Sequence, residues 1–166
     1  MLGVQLRACE VAPDERWTYI PSPKPRYQRI TSELPKWQWG PGCRVAGTHV
    51  HYGCRNLEHA LEVYNRLAEE VEHFCEIGAH PAEEGPSRLE LYREMAPTAQ
   101  PPLYDSVDEW RQRAQDEGFA SDLGDCWHLV RISEYGTVEV RCFGITLEVD
   151  ELVGYTEEVR RIARGG

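Results

Sequence analysis

The feature that most constrains the fold of this chain is a pair of alternating segments, residues 127–133 and 137–143, near its C-terminal end. Side chains of a β-strand point alternately to two faces, so apolar and polar residues in alternation predict a half-buried strand. In the second segment the apolar set is Val138, Val140 and Cys142, and the polar set is Thr137, Glu139 and Arg141. The tripeptide Glu134-Tyr135-Gly136 separates the two segments. The pattern therefore predicts an antiparallel hairpin with one apolar and one polar face.

The length of the connection decides which residues face each other across this hairpin. With a three-residue connection, Arg131 lies opposite Glu139 on the polar face. With a two-residue turn, Arg131 moves to the apolar face, where a charge is costly. We therefore predict the three-residue connection, which places Arg131, Glu139 and Arg141 on one surface. A carboxylate there suits magnesium and the guanidiniums suit phosphate or carboxylate, whereas the alternative is a cross-strand ion pair on a solvated face.

A second chemically distinctive segment is Gly47-Thr-His-Val-His-Tyr-Gly53, within a strand predicted over Arg44–Tyr52. Strand alternation puts His49 and His51 on the same face. Two imidazoles on one face can bind a metal ion or the oxygens of phosphate and carboxylate, and the flanking glycines allow close approach of a ligand. The alternative interpretation is two surface histidines on a half-exposed strand.

The rest of the chain adds helices to this sheet. Three-and-four spacing of apolar residues and capping signals at Asn56 and Ser106 predict four helices. They cover Arg26–Leu34, Leu57–Ile77, Val107–Glu117 and Val149–Ala163. A strand is predicted over Val4–Cys9, connections over 11–25 and 35–42, and a long loop over 78–105 that carries Ser87-Arg88. We expect one α+β domain over 1–166, with a core at about 20–163 and helices packed on one face of an antiparallel sheet.

Charge and composition narrow the functional classes. The 166-residue chain has a net charge of −10, which argues against nonspecific nucleic-acid binding. It has no run of the ~18 apolar residues that a membrane helix needs and no signal-like N-terminus. Its six cysteines form no CxxC pair and are expected to be reduced. We expect a cytoplasmic protein without nucleic-acid or membrane partners.

Five motifs, taken in order, resemble the carboxylate–amine ligase family related to glutamate–cysteine ligase. They are Arg26-Tyr-Gln-Arg29, Gly47–Gly53, Ser87-Arg88, Trp127 to Arg131, and Gly136–Arg141. The resemblance spans about residues 20–160. It implies part of a glutamine-synthetase/glutamate–cysteine-ligase-like fold and ATP-dependent amide formation from a small-molecule carboxylate and an amine through an acyl phosphate.

The resemblance also implies roles for individual residues. Arg131, Arg141 and Arg88 would be catalytic groups that bind phosphate or carboxylate. His49, His51 and Arg141 would line the ATP site. Glu139 and His51 would bind Mg²⁺.

The sequence departs from the family pattern in ways that affect metal binding. The family's initial Glu-x-Glu strand has no counterpart here, and the region after Arg141 lacks an acid that often follows there. Fewer carboxylates weaken a magnesium site, because Mg²⁺ requires nearly complete octahedral oxygen coordination. We therefore expect a minimal or split ligase, a homo-oligomer or one whose sheet a partner chain completes. An inactive ligase-derived binding or assembly module is the alternative, and a metal-binding α+β domain is a third interpretation.

Overall fold

The computed structural model describes residues 10–12, 23–80, 85–96 and 99–166. The strand predicted over Val4–Cys9 lies outside these ranges. The helices are α1 (Pro25–Glu33), α2 (Lys36–Trp39), α3 (Leu57–Glu69), α4 (Val71–Ile77), α5 (Arg88–Met95), α6 (Val107–Asp116) and α7 (Val149–Ala163). The strands are β1 (Thr48–Gly53), β2 (Val130–Ile132) and β3 (Thr137–Phe143), and 3₁₀ turns cover Pro41–Cys43 and Leu123–Asp125. The predicted α+β class is confirmed.

The three strands form one antiparallel sheet in the order β1-β3-β2. Glu139 on the central strand faces Arg131 of β2 on one side and His51 of β1 on the other. The Ser133 amide donates to the Thr137 carbonyl across the hairpin, and Gly136 adopts a φ of 70°. The predicted three-residue connection and its register are therefore confirmed, because the left-handed conformation that closes this turn is open to glycine at little cost.

The apolar face of the sheet forms the main core. Val138 and Val140 are fully buried there, and α3, α4 and α7 contact the strands. Phe143 lies between the rings of Phe74, at a centroid distance of 5.6 Å, and Tyr155, at 4.4 Å. Burial of these large side chains anchors three helices on one face.

Not every helix packs on that face. Helix α5 lies at the end of β3, where Arg88 donates hydrogen bonds to the carbonyls of Arg141 and Cys142. It also packs against α2 and the 3₁₀ turn at Pro41–Cys43. The prediction that the helices occupy a single face therefore holds for α3, α4 and α7 only.

Three predicted segments differ in detail. The helix predicted over Leu57–Ile77 is divided at Glu70 (φ −98°, ψ 15°), where the chain leaves helical geometry. The prediction of an unbroken loop over 78–105 was wrong, because Ser87 and Glu90 form a reciprocal capping box that starts α5. The connection predicted over 35–42 contains α2 and the start of a 3₁₀ turn. Within the described ranges, no helix is both long enough and apolar enough to cross a membrane.

Candidate functional site

The polar face of the sheet is organised around the carboxylate of Glu139, which is only 3% exposed. Its Oε1 lies 2.8 Å from Nδ1 of His49, and its Oε2 accepts a 2.8 Å hydrogen bond from Nε of Arg131. Nε of Arg141 lies 3.6 Å from Oε1. Three elements of the predicted site, β1, β2 and β3, thus place their polar side chains around one acid.

These contacts keep Glu139 ionised. Burial by itself raises the pKa of a carboxyl group, but hydrogen bonds from His49 and Arg131, together with the charges of Arg131 and Arg141, lower the pKa of Glu139 to about 2. The site therefore contains one buried negative charge against two guanidiniums that are always positive.

Arg131 is committed to contacts within the protein. Besides its bond to Glu139, its Nη1 donates to the carbonyls of Gly124 at 2.8 Å, Cys126 at 2.9 Å and Leu123 at 3.3 Å. The same Gly124 carbonyl accepts a 2.6 Å bond from Nη2 of Arg26. Arg131 therefore fixes both the acid and the 3₁₀ turn at Leu123–Asp125.

Arg141 makes fewer hydrogen bonds within the protein than Arg131 does. Its Nη1 makes one long hydrogen bond, 3.5 Å, to the Cys126 carbonyl, and its Nε is buried without a hydrogen-bond partner among the described residues. Its guanidinium carbon lies 5.3 Å from the centroid of the Tyr92 ring. Nε faces Glu139, whereas Nη2 makes no hydrogen bond to the described residues and is available to an anion.

Arg88 lies in the first turn of α5, whereas the sequence predicted that it lies in a long loop. The residue is 4% exposed, and burial lowers the pKa of its guanidinium. Nη1 and Nη2 donate to the Cys142 and Arg141 carbonyls at 3.3 and 2.8 Å, whereas Nε has no hydrogen-bond partner among the described residues. A Cβ atom at Gly47 would collide with this guanidinium. Glycine at position 47 therefore permits the close approach of β1 to Arg88.

The two histidines share a face of β1 as predicted, but their surroundings differ. His49 contacts Glu139 and lines a cavity of about 520 Å³. His51 bonds through Nδ1 to the Thr137 hydroxyl at 2.9 Å, and its Nε2 is 4.0 Å from Glu139. Only His49 thus lines the cavity together with Arg88 and Arg141.

The cavity lies between α1, α2, the start of β1 and α5. Its lining includes Arg88 and Arg141, His49, and the aromatic residues Tyr27, Trp39, Tyr92 and Trp127. Its volume is in the range of small-molecule sites in proteins. The arrangement can hold an anionic group beside a flat or apolar body.

Helix α1 is tied to this cavity through Asp125. The Asp125 carboxylate pairs with Nε of Arg26 at 3.0 Å and with Nη2 of Arg29. Partial burial raises the pKa of Asp125, but hydrogen bonds from Arg29 and Arg26 outweigh this effect and lower it. The role of the Arg26-Tyr-Gln-Arg29 motif in the fold is thus to hold α1 over the cavity.

Tyr92 was missed by the sequence analysis. Its hydroxyl donates to the Trp127 carbonyl at 2.7 Å, and its ring lies near both Arg88 and Arg141. The signal was present, since Ser87-x-x-Glu90 starts a helix in which Arg88 and Tyr92 are four residues apart and share a face.

The described residues do not form a magnesium site by themselves. No group of three or more His, Cys, Asp or Glu side chains in the described part of the chain is arranged to hold a metal ion. Both oxygens of Glu139 already face His49 or Arg131. Mg²⁺ prefers several oxygen ligands, so Glu139 with His51 is too small a set.

Comparison with known proteins finds relatives that share one printed function. No family model matches the sequence. A protein named "putative glutamate–cysteine ligase 2" from Corynebacterium jeikeium is 28% identical over 162 residues, covering 91% of this chain and 41% of that protein. The chain matches the glutamate–cysteine-ligase-like family.

Two further relatives support the same family match. One from Bradyrhizobium diazoefficiens, with the same printed name, is 27% identical over 174 aligned positions, covering 98% of this chain and 40% of that protein. The glutamate–cysteine ligase of Haloferax volcanii is 26% identical, covering 96% of this chain and 48% of that protein. The ligase-like match thus includes nearly the whole chain, which spans less than half of the length of these relatives.

Proposed function

We propose that this chain carries the anion-binding part of an ATP-dependent carboxylate–amine ligase. The observation that carries the proposal is the convergence of His49, Arg131 and Arg141 on Glu139, next to a cavity that Arg88 also lines. The guanidiniums of Arg131 and Arg141 face one carboxylate there, so the surplus positive charge suits phosphate and carboxylate groups. The names of the relatives support a ligase of this class.

The reaction class needs charge stabilisation more than covalent help from the protein. One carboxylate oxygen takes the γ-phosphoryl group of ATP, ADP leaves, and the amine then displaces phosphate from the acyl phosphate with loss of a proton. Arg88 and Arg141 line the cavity, and Nη2 of Arg141 makes no hydrogen bond to the described residues, so the two are placed to bind the substrate carboxylate and the charge that develops on it.

Arg131 and His49 take different parts in this proposal. Arg131 holds Glu139 and the turn at Leu123–Asp125 in place. If the Nδ1 hydrogen of His49 points to Glu139, Nε2 of the same ring is the acceptor for the proton that the amine loses. Glu139 then orients the imidazole in the tautomer that the reaction requires.

Most ligands of the magnesium ion would come from groups outside the cluster around Glu139. Mg²⁺, when bound, would screen the phosphates of ATP, and Glu139 would contribute one carboxylate to its site. Strand β1 is an edge of the sheet formed by the described residues, and an added strand would lie beside His49 and His51. We propose that a second copy or a second polypeptide supplies carboxylates along this edge, giving a ligase that is complete only when assembled.

The small metal-ligand set favours one alternative. A ligase-derived module that binds a carboxylate without turnover needs Arg88 and Arg141 but no magnesium. The absence of a three-ligand group among the described side chains is the observation in its favour.

Calorimetric titration of ATP, with magnesium and with a chelator, tests the proposed function. The ligase proposal expects heat that depends on magnesium and on Arg141, so that Arg141→Met loses binding while the exposed-surface control Arg111→Met keeps it. Carboxylate binding without any nucleotide binding, measured on the chain and on its assembly, would favour the binding module and overturn the ligase.

A further inference from the structure

The cavity next to Glu139 has one cationic side and one apolar, aromatic side. The ring of Tyr92 lies 5.9 Å from the guanidinium carbon of Arg88 and 5.3 Å from that of Arg141. Helices α1 and α2 contribute Tyr27, Ile30 and Trp39 to the lining, and Arg26, which pairs with Asp125, also borders the cavity. A ligand that fills this space therefore places an anion at the arginines and a flat or apolar body along the rings.

The cationic side is only partly neutralised within the described part of the protein. Arg88 makes no ion pair within 4.0 Å of a described carboxylate, although the negative charge of Glu10 acts on it, and Arg141 shares Glu139 with Arg131. Both guanidiniums line the cavity, and Nη2 of Arg141 makes no hydrogen bond to the described residues. Because a buried charge is costly without a partner, a small anionic head in this place would be bound strongly.

The same lining offers no partner for a cation. None of the described residues around the cavity is Asp or Glu. An α-ammonium group would therefore lie beside guanidiniums without an acceptor of opposite charge. The polyphosphate of a magnesium nucleotide would likewise find no carboxylate there for its metal ion. A monocarboxylate meets these constraints better than an α-amino acid or a nucleotide does.

We infer that this cavity binds the carboxylate substrate, and that this substrate is a monocarboxylate with an uncharged aromatic or apolar body and no α-ammonium group. The inference rests on the proposed function in calling this ligand a substrate. The binding test does not depend on that function. Arg88 and Arg141 bind the carboxylate, and the rings of Tyr27, Trp39 and Tyr92 select the body.

A four-ligand calorimetric panel on the unmodified protein tests this inference. 3-Phenylpropanoate is the expected ligand. Phenylalanine adds only the α-ammonium group, and 3-phenylpropanamide removes only the charge. L-Glutamate has the ammonium group and a second carboxylate in place of the ring. We expect 3-phenylpropanoate to bind at least tenfold more tightly than each of the other three. Equal or tighter binding of phenylalanine or glutamate, or no binding of 3-phenylpropanoate, would overturn the inference.

Two variants separate this cavity from binding elsewhere. Arg141→Met should abolish the preference for 3-phenylpropanoate over its amide, whereas Arg111→Met, at an exposed arginine on α6, should preserve it. Persistence of the preference in Arg141→Met would overturn the inference.

The outcomes also distinguish the inference from the ligase proposal. Selective 3-phenylpropanoate binding without any ATP binding would support the cavity assignment and reject the ligase. Amide formation from glutamate, with no binding of 3-phenylpropanoate, would support the ligase and reject the inferred substrate class.

Discussion

Nδ1 of His49 on β1 lies 2.8 Å from Oε1 of Glu139 on β3, although the two residues are far apart in the sequence. The contact arises because β1 pairs directly with the central strand β3, with an irregularity in register between Thr48 and Val50. The two motifs that carry the family resemblance thus meet at one buried acid.

Glu139 should contribute pH-dependent stability. Its pKa in the folded protein is about 2, below the ordinary 4.5, so its contribution is fully present above the ordinary value and is lost as pH falls toward 2. Across this interval the unmodified protein should lose on the order of 3 kcal/mol through this group. Urea unfolding at a series of pH values should show this loss reduced in Glu139→Gln. Asp108→Asn, at a carboxylate with a 90% exposed side chain, is the control and should retain the full dependence.

Arg131 and Arg141 should separate stability from binding. Arg131→Met removes a partner of a buried carboxylate and of three carbonyls, so the free energy of unfolding should fall by about 3–5 kcal/mol. Arg141→Met loses one long hydrogen bond, a ring contact and the 3.6 Å ion pair with Glu139, which keeps His49 and Arg131 as partners, and should cost about 2 kcal/mol or less while removing anion binding. Denaturant titrations and calorimetry measure the two effects. Similar stability losses in both variants would contradict the separate roles.

Much of this cluster was predictable from local pattern. The position of Arg131 opposite Glu139 was predicted from the three-residue connection, because a two-residue turn would place a charge on the apolar face. The bounds of β3 and α7, Thr137–Phe143 and Val149–Ala163, were also those predicted. Alternation and helical spacing are strong in these segments, because one face of each is buried in the same core.

Other features depended on tertiary contacts or on weaker signals. Apolar spacing continues through Glu70, so the break between α3 and α4 was not evident from periodicity. Prolines on both sides concealed α5, although Ser87-x-x-Glu90 indicated its start. The burial of Arg88 against Gly47 depends on two segments that are distant in sequence. The extent of the domain, the oligomeric state and the catalytic roles stay predictions.

Gly47 should be required for the position of the Arg88 guanidinium. A methyl group at position 47 would collide with Arg88, whereas one at Gly53, at the other end of β1, would have no neighbour within 4 Å. Gly47→Ala should therefore weaken carboxylate binding by about tenfold or more, an effect of about 1.4 kcal/mol. Gly53→Ala should bind like the unmodified protein. Calorimetry on both variants checks this, and equal affinities would show that the close approach does not matter for binding.

Assembly through the β1 edge should be detectable without a ligand. An edge strand presents unpaired backbone groups unless another strand or a covering segment satisfies them. Native mass spectrometry at micromolar concentration should show a dimer or higher oligomer of the chain, or a complex with a second polypeptide. A clean monomer under these conditions, with no partner captured, would contradict the proposed completion of the sheet.

The most direct test of the central claim is an NMR titration that follows the Nε–H signals of the arginine side chains during addition of propanoate, a minimal carboxylate. We expect the signals of Arg88 and Arg141 to shift together and saturate, while that of exposed Arg111 does not move. Saturable shifts confined to surface arginines, or none at Arg88 and Arg141, would contradict the assignment of these residues to one anion-binding site beside Glu139.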